Sequence, residues 1–389
     1  MTERLYYTDA TITEFTARVV EINGNRVYLD RTAFYPTSGG QQFDTGALGD
    51  ARVVDVVDED ARIAHVLEKP ATFAAGDEVK GRIDQARRFD HMQQHTGQHL
   101  LSAIFEDLFG HKTVSVHFGD EYSTLDLDAP LSMERALKAE RRANEIILEN
   151  RPVSVKFEDA ATAAGLRKAV DRAGELRIIE IDRTDRSACG GTHVRGTAEI
   201  GPMIVRRVEK NKQGMRVEFI CGWRALARSR ADFDALAAMA VSLTASIDEV
   251  PALVAAQAAR VKEAETAARK SGEELAKYQA RERYESAMPD ANGARRITEA
   301  AGSMDPLRAM AQALANMPNA VYLGTVASPP GIVFAASADS GINAGELLKA
   351  ALAANGGRGG GSPRVAQGTV PDTAALQRVI AAISAPGTA

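Results

Sequence analysis

Apolar and polar residues alternate in short valine-rich runs from the N-terminus to about residue 85. A period of two is typical of strands with one buried face, and turn residues such as Asn23, Gly24 and Asn25 separate the runs. The strands predicted in this way are residues 16–22, 26–30, 52–57 and 62–67. Because several short strands must hide their edges, the pattern favours a small β-barrel over residues 1–86.

The apolar period lengthens to three and four residues between Arg87 and Phe109, which predicts a long helix that ends near Gly110. A second helix is predicted from Met133 to Glu149, with Ser132 as its N-cap. The remaining runs predict a short helix after residue 157 and strands at 113–118, 123–127, 153–157, 176–181, 204–208 and 216–220. This mixed order predicts an α+β domain over residues 87–222.

The second half of the chain changes in composition. Residues 223–294 are rich in Ala, Glu, Lys and Arg, and they predict an arm of two long helices separated at Pro251, suited to a spacer or a coiled coil. Residues 295–389 predict a C-terminal α/β glycine-rich domain. Its predicted elements are strands at 320–326 and 331–336, helices at 345–354 and 373–382, and a glycine run at 356–361. The expected fold class is therefore α+β in four parts.

Composition narrows the functional classes. The chain has 389 residues, 45% of them hydrophobic, which supports sizeable cores. A net charge of only −5 means that any nucleic-acid binding must come from local basic patches. Two cysteines are too few for a disulfide framework and fit a reducing compartment. Because neither an apolar leader nor a stretch of about 18 apolar residues occurs, we expect a cytoplasmic protein without a membrane partner.

Two short pairs of metal-ligand residues carry the candidate chemistry. His95 and His99 stand four positions apart in the predicted helix, so their imidazoles lie on one face. Cys189 and His193 are also four positions apart, and the glycines at 190–191 are expected to take positive φ and turn both side chains toward one point. A thiolate combined with imidazoles suits Zn²⁺, so the four residues predict a site for one zinc ion per chain.

The spacing of the pairs weighs against familiar zinc motifs. Zinc fingers bring their ligand pairs within about 12–20 residues, whereas about 90 residues separate these pairs. A thermolysin-type peptidase needs Glu directly after its first His, and this chain has Thr96 there. His91 lies one turn before His95 and is a candidate substrate contact rather than a ligand. Since four protein ligands would saturate tetrahedral zinc, it stays open whether His193 is a permanent ligand.

A third motif precedes the metal pairs: Phe34-Tyr35-Pro36-Thr37-Ser38-Gly39-Gly40-Gln41, followed by Asp44 and Gly46. Taken alone, residues 38–41 are typical of an ordinary tight turn. Together with His95-x₃-His99 and Cys189-Gly190-Gly191-Thr192-His193, the motif resembles the editing half of alanyl-tRNA synthetases and the freestanding alanyl-tRNA editing proteins. Threonyl-tRNA synthetases share the metal motifs but not this loop in the same form. Residues 356–368 resemble the glycine-rich C-terminal domain of the long editing proteins.

The resemblance implies an aminoacyl-tRNA hydrolase that acts in trans on alanine tRNA carrying serine or glycine, without aminoacylation activity. Such editing is needed because a pocket for alanine cannot reject glycine by size and excludes one added hydroxyl only weakly. The implied catalytic residues are His95, His99, Cys189 and His193 with Gln41. The candidate substrate-binding residues are Gly39, Gly40, Gln41, His91, Thr96 and Gln98.

Basic residues supply candidate contacts to the tRNA backbone. The candidates are Arg206, Arg207, Lys210 and Lys212 near a predicted hairpin, and Arg358 and Arg364 beside the glycine run. The C-terminal region is also a candidate for homodimerisation. Two alternatives remain open: a non-catalytic RNA-binding module stabilised by zinc, and editing of the threonyl-tRNA type.

Overall fold

The computed structural model describes residues 1–168, 170, 173–212 and 214–384. The chain separates into two compact units, Met1–Met239 and Ala240–Ala389. Each unit contains both helices and sheets, which confirms the predicted α+β class. The division of the chain into four domains stays a prediction.

The first strands of the chain close into a ring. The strands of this region are β1 (Glu3–Arg4), β2 (Glu14–Asn23), β3 (Arg26–Leu29), β4 (Arg31–Thr32), β5 (Gly46–Leu48), β6 (Ala51–Glu59), β7 (Arg62–Leu67) and β8 (Glu78–Ile83). Six of them hydrogen-bond in the closed order β2-β3-β7-β6-β5-β8. Alternate side chains such as Val19, Val53 and Ile63 join one buried cluster. The period of two in the sequence therefore marks the side chains that form the core of the ring.

A long helix and two sheets make up most of the remainder of the first unit. These elements are α1 (Gln85–Phe109), β9 (Thr113–Phe118), β10 (Ser123–Leu127), α2 (Met133–Leu148), β11 (Val153–Asp159), β12 (Glu175–Ile181), β13 (Asp185–Ala188), β14 (Met203–Lys210) and β15 (Met215–Cys221). One sheet has the strand order β14-β15-β10-β9 and the other the order β11-β12-β13. Leu101 and Phe105 of α1 belong to the same buried cluster as Phe219 of β15. The long helix therefore packs against the four-stranded sheet.

Helix α1 ends at the predicted glycine and begins two residues before the predicted start. Its N-cap is Asp84, whose carboxylate accepts a hydrogen bond from the backbone N–H of Arg87 at 3.1 Å. Gly110 ends the helix in a left-handed conformation with φ of 71°. Within the helix, a Cβ added at Gly97 would lie 2.4 Å from Sγ of Cys221. Glycine at this position therefore lets the helix approach the sheet closely.

The connection between β11 and β12 differs from the prediction. The sequence predicts a short helix here, but the described residues between 160 and 174 form turns and bends. Gly165 and Gly174 have φ of 69° and 92°, which interrupts helical backbone. Residues 169, 171 and 172 of the predicted helix lie outside the described residues. The sequence prediction also omits strand β13, which directly precedes Cys189.

Two long helices follow, α3 (Gly222–Leu243) and α4 (Val250–Ser286). Pro251 lies in the first turn of α4, where its missing N–H has no intrahelical partner to lose, and the break falls at 244–249 instead. The prediction that Pro251 itself separates the helices is therefore wrong. Among the described helices, none is by itself long and apolar enough to cross a membrane, although α3 and residues 247–286 pass by length and composition as a bent pair.

A five-stranded sheet organises the second unit. Its elements are β16 (Arg295–Ala301), α5 (Met304–Leu314), β17 (Ala320–Ala327), β18 (Pro330–Ala336), α6 (Ala344–Ala354), β19 (Arg358–Gly361), β20 (Val365–Thr369) and α7 (Thr373–Ser384). The strand order is β16-β17-β18-β20-β19. The glycine run forms an edge strand here and not a flexible linker. A Cβ at Gly359 would lie 2.3 Å from the backbone oxygen of Gln367, so glycine permits close strand pairing.

Candidate metal centre

Four side chains from two distant segments converge in the first unit. Each of His95, His99, Cys189 and His193 offers a ligand atom, and these atoms lie within 4.8 Å of one another. Sγ of Cys189 is 3.4 Å from Nε2 of His95 and 3.4 Å from Nε2 of His193. The centroids of the His95 and His193 rings are 4.4 Å apart. The structure therefore brings together the four residues that the sequence predicts as ligands, in an arrangement that could hold a metal ion.

Local backbone explains how the two segments meet. The two helix histidines stand one turn apart on α1, and Cys189 follows directly after β13. Arg177 of β12 fixes the loop after Cys189, since its Nη1 donates to the carbonyls of Cys189 at 2.6 Å and Gly191 at 2.9 Å. Its Nε donates to the carbonyl of Tyr7 at 2.8 Å. A buried guanidinium thus holds the cysteine loop in place.

Gly191 is needed for space and not for an unusual backbone angle. Neither Gly190 nor Gly191 has positive φ, so the prediction of a left-handed loop at this point is wrong. A Cβ at Gly191 would lie 2.1 Å from Cε1 and 2.4 Å from Nδ1 of His95. A Cβ at Gly190 would meet nothing closer than Oη of Tyr7 at 3.8 Å. The loop therefore reaches His95 only because residue 191 has no side chain.

Each histidine of the cluster has its Nδ1 atom next to a side-chain oxygen. For His95 the partner is Oε1 of Gln41 at 2.9 Å, and for His193 it is Oγ1 of Thr96 at 3.1 Å. For His99 the partner is a carboxylate, Oδ2 of Asp185, at 2.9 Å. Amide and carboxylate oxygens only accept, so Nδ1 of His95 and Nδ1 of His99 each carry a proton, and Nε2 is the nitrogen of each ring through which a metal ion would be bound.

Gln41 links the third sequence motif to the cluster. Its Oε1 accepts hydrogen bonds from Nδ1 of His95 and from the backbone N–H of Thr192 at 3.2 Å. Its Nε2 donates to Oγ1 of Thr192 at 2.8 Å, and the side chain is buried. The structure places the Gln41 amide against these two residues, and a contact with substrate stays a prediction.

A two-residue turn presents Gln41 to the cluster. Ser38 and Gln41 exchange backbone hydrogen bonds of 3.0 and 2.9 Å. Gly39 and Gly40 have φ of 55° and 84°, as a type I′ turn requires at both central positions. The glycines that suggest a tight turn in the sequence therefore form one, and this turn is part of the candidate site.

A buried ion pair fastens the same loop to helix α1. The side chains of Arg88 and Asp44 are 1% and 0% exposed, and Nε of Arg88 is 3.1 Å from Oδ1 of Asp44. Asp44 also accepts a hydrogen bond from the backbone N–H of Tyr35 at 2.6 Å. Since Arg88 lies two turns before His95 on α1, the ion pair sets the position of the loop relative to this helix.

Electrostatics favour a thiolate within the cluster. Burial raises the pKa of the Cys189 thiol, but the adjacent His95 and His193 outweigh it and hold this pKa well below its usual range. Burial lowers the pKa of His193 to about 3. Burial opposes protonation of His99 as well, yet the neighbouring Asp185 and Cys189 raise the pKa of His99 to about 10. The thiolate is the form of cysteine that binds metal ions.

The other predicted substrate residues lie on α1. Oγ1 of Thr96 accepts from the backbone N–H of Val194 at 3.2 Å in addition to its contact with His193. Gln98 donates through Nε2 to Oγ of Ser102 at 2.8 Å. His91 is 5% exposed, and its Nδ1 has no hydrogen-bond partner among the described residues. Burial lowers the pKa of His91 to about 4, so its imidazole is neutral at pH 7.

Three of the predicted tRNA-binding residues form ion pairs or hydrogen bonds with other residues of the chain. Nη1 of Arg206 is 3.0 Å from Oε1 of Glu218, and Arg207 pairs with Glu209. Arg364 donates to the chain just after α5, at Oδ1 of Asn316 in particular. Of the predicted set, Lys210, Lys212 and Arg358 are exposed and form no ion pair with another described residue.

Sequence reasoning misses the residues that support the cluster from behind. Asp185, Arg177 and Arg88 belong to no motif, and their partners are 86, 12 and 44 positions away in the chain. Asp185 stands four positions before Cys189, the same interval that separates the ligands within each pair. That spacing is the one signal in the sequence that could have drawn attention to it.

Comparison with known families identifies three matched regions. Residues 3–87 match the model described as tRNA synthetases class II (A). Residues 176–218, which contain Cys189 and His193, match the Threonyl and Alanyl tRNA synthetase second additional domain. Residues 294–385 match the DHHA1 domain. His95 and His99 lie between the regions 3–87 and 176–218, outside all three matches.

Individual relatives agree with these matches. An alanine–tRNA ligase of Pyrococcus abyssi is 32% identical over 98% of this chain and 43% of the ligase. The alanyl-tRNA editing protein AlaX-L of Pyrococcus horikoshii is 34% identical over 59% of this chain and 60% of its own length, and Aarsd1 of Bos taurus is 35% identical over 53% and 47%. The chain thus spans about half the length of the curated relatives it matches. These matches confirm the resemblance predicted from the motifs: the chain is similar in sequence to proteins named alanyl-tRNA editing protein and alanine–tRNA ligase.

Proposed function

We propose that this chain hydrolyses the ester bond between a wrongly attached amino acid, serine or glycine, and the terminal adenosine of alanine tRNA. The observation that carries the proposal is the hydrogen bond between Gln41 of the Gly-Gly-Gln turn and His95 of the cluster, because it joins the two motifs into one site. Similarity to proteins named alanyl-tRNA editing proteins supports this choice of substrate.

Zinc is the metal that the donor set supports best. A tetrahedral zinc ion, with Zn–N near 2.0 Å and Zn–S near 2.3 Å, spaces its sulfur and nitrogen ligands about 3.5 Å apart. The two sulfur–nitrogen distances of 3.4 Å in the cluster agree with this spacing. A thiolate with three imidazoles also favours zinc over magnesium or calcium, which prefer oxygen ligands. When bound, zinc would act as a Lewis acid toward the ester carbonyl or the attacking water.

The chain's own residues would hold the metal, admit the substrate and limit the access of water. The three histidines are buried whereas Cys189 is half-buried, so we expect the ester to approach from the cysteine side. Gly39 and Gly40 leave backbone N–H groups free of side-chain bulk, and these would contact the aminoacyl-adenosine. Water adds to the ester carbonyl carbon, the bond to the ribose oxygen breaks, and a proton from the water goes to that oxygen. The products are the free amino acid and the terminal hydroxyl of the tRNA.

The domain assignments belong to the same proposal. We interpret the six-stranded ring as the predicted small β-barrel and residues 87–222 as a zinc-binding editing domain. Residues 223–294 would form the helical arm and residues 295–389 the glycine-rich domain. The exposed Lys210, Lys212 and Arg358 are the best candidates for contacts with tRNA phosphates, because no ion pair within the described residues neutralises them. A homodimer through the C-terminal region is a further part of this proposal.

Deacylation of alanine tRNA tests the activity directly. The chain should release serine and glycine from alanine tRNA, spare tRNA charged with alanine, lose activity in a chelator and regain it with added zinc. If folded, zinc-loaded protein hydrolyses neither mischarged tRNA, the proposal is refuted. Threonine tRNA charged with serine serves as the comparison substrate, and faster hydrolysis of it would favour the threonyl-type alternative.

A substitution separates catalysis from a purely structural metal. The competing hypothesis is a non-catalytic module in which four ligands close the zinc coordination, as structural sites do. His95→Ala should abolish hydrolysis while circular dichroism and the unfolding temperature stay near those of the wild type. His117→Ala, at an exposed histidine of β9, is the matched control and should change neither property. Global unfolding of His95→Ala would favour the structural hypothesis.

A further inference from the structure

One of the three histidines in the cluster differs from the other two in the side chain that contacts its Nδ1 atom. Nδ1 of His99 contacts a carboxylate, Asp185, whereas the corresponding atoms of His95 and His193 contact the uncharged side chains of Gln41 and Thr96. A carboxylate that accepts the Nδ1 proton fixes the tautomer and ring orientation of a histidine and makes Nε2 a stronger donor to a metal. Of the three histidines, His99 is therefore the one whose Nδ1 partner carries a negative charge.

The Asp185 carboxylate is itself held at both oxygens. Its side chain is 1% exposed, and while Oδ2 contacts His99, Oδ1 accepts from Nε of Arg167 at 2.9 Å and from Oγ of Ser187 at 3.0 Å. With both oxygens engaged, the carboxylate has one orientation in which all its contacts are made. That orientation directs Oδ2 at the His99 ring.

Arg167 also contacts helix α1, which carries His99. Its Nη1 lies 3.2 Å from Oε2 of Glu106 and 3.0 Å from Oδ1 of Asp107, both near the end of α1. Its Nη2 donates to the carbonyl of Thr184 at 2.7 Å, next to Asp185 in the chain. One guanidinium thus braces the strand that carries Asp185 against the helix that carries His99.

We infer that Asp185 is a positioning residue for the metal centre, that it acts by orienting His99, and that Arg167 acts through Asp185. This inference rests on the proposed metal site and deepens it, because it assigns the residues that set the affinity of the site. It concerns the protein's hold on the ion and can be tested without any tRNA.

Zinc affinity of the full chain is the primary measurement. Asp185→Ala should weaken zinc binding about 10–100-fold, measured in competition with a chromophoric chelator. This range is typical when the hydrogen-bond partner of a metal-ligating histidine is removed. Asp185→Asn keeps an acceptor oxygen without the charge and should recover part of that loss. Asp182→Ala is the matched control, since this neighbouring carboxylate is half-exposed and its one ion pair among the described residues is with exposed Arg183. It should bind zinc within twofold of the wild type.

Cobalt substitution and a double variant separate positioning from a general structural effect. In the Co²⁺ protein, Asp185→Ala should shift the visible ligand-field bands, while circular dichroism of the metal-free protein stays unchanged. Arg167→Ala should weaken zinc binding in the same direction, and it should add nothing in the Asp185→Ala background, because both act through one contact.

The outcomes are distinct from those of the hydrolysis test. Zinc affinity of Asp185→Ala within twofold of the wild type and an unshifted Co²⁺ spectrum would overturn the role of Asp185. If the losses of zinc affinity in Arg167→Ala and Asp185→Ala add fully in the double variant, the inference that Arg167 acts through Asp185 is overturned. Weakened metal binding in a chain that hydrolyses no mischarged tRNA would leave this inference intact and refute the proposed function. A wild-type chain that binds no zinc would overturn both the metal site and the inference.

Discussion

Oε1 of Gln41 lies 2.9 Å from Nδ1 of His95, although the two residues are 54 positions apart in the chain. Gln41 closes the two-residue turn that lies between β4 and β5, and His95 belongs to helix α1. The same Gln41 amide contacts both the backbone and the hydroxyl of Thr192, beside the second pair of candidate ligands. A single side chain therefore connects all three sequence motifs.

Removing the Gln41 amide should weaken the binding of zinc by the cluster. Gln41→Ala deprives Nδ1 of His95 of its acceptor, so we expect zinc affinity and hydrolysis to fall about 10–100-fold. Chelator competition and single-turnover deacylation measure the two effects. Gln42→Ala is a control of the same residue type, because its Oε1 contacts Nη2 of Arg87 at 2.9 Å and no member of the cluster. Equal effects of the two substitutions would show that the Gln41–His95 contact has no special role.

The two glycines after Cys189 should differ sharply in their tolerance of a methyl group. Gly191→Ala places a Cβ 2.1 Å from Cε1 of His95, so the ring must move and zinc affinity should fall about tenfold or more. Gly190→Ala meets nothing within 3.8 Å and should leave zinc binding within about twofold of the wild type. Since neither residue has positive φ, backbone strain does not separate the two variants. Comparable zinc affinity in both proteins would contradict the close approach of the loop to His95.

Local sequence signals predict local structure well in this chain. The cap at Ser132 and the left-handed end of α1 at Gly110 follow from interactions within a few residues. The strand at Arg358–Gly361 is not predicted, because its glycines depend on pairing with β20 and carry no strand signal of their own. The ligands were predicted by their chemistry, and the cluster joins Cys189 and His95 across 94 positions. The supporting contact of Asp185 with His99 spans 86 positions and follows from the fold alone.

The buried pair between Asp44 and Arg88 should contribute far more to stability than an exposed pair. Asp44→Ala leaves the Arg88 guanidinium buried without its counter-charge, which typically costs about 3–5 kcal/mol of unfolding free energy. The substitution also removes the acceptor for the backbone N–H of Tyr35. Urea denaturation followed by circular dichroism measures the loss.

Glu21→Ala is the matched control for that measurement. Glu21 lies 2.8 Å from Arg62, and both side chains are close to half exposed. Removing such a pair should cost about 1 kcal/mol or less, because water screens the charges. A loss for Asp44→Ala no larger than that for Glu21→Ala would show that the buried pair does not anchor the loop.

The environment of His65 in the ring suits only a neutral imidazole. Its Nδ1 lies 3.0 Å from the carbonyl oxygen of Val27, which can only accept, so this nitrogen carries the proton. Its Nε2 then accepts from Oγ1 of Thr32 at 2.7 Å. The side chain is fully buried, and burial lowers the pKa of His65 to about 4.

This lowered pKa predicts that acid weakens the ring. Below about pH 6.5 an unfolded His65 takes up a proton, whereas the folded residue stays neutral until about pH 4, so the unfolded state binds more protons in this window. The contribution of the neutral His65 to the free energy of unfolding is complete above about pH 6.5. Roughly 3 kcal/mol of this free energy is lost as the pH falls to 4. In denaturation series at several pH values, the stability difference between the wild type and His65→Asn should therefore shrink by that amount. His117→Asn, at an exposed histidine, is measured in the same series as the control for the substitution itself. A pH-independent difference for His65→Asn would mean that the folded ring accepts the protonated histidine at no cost.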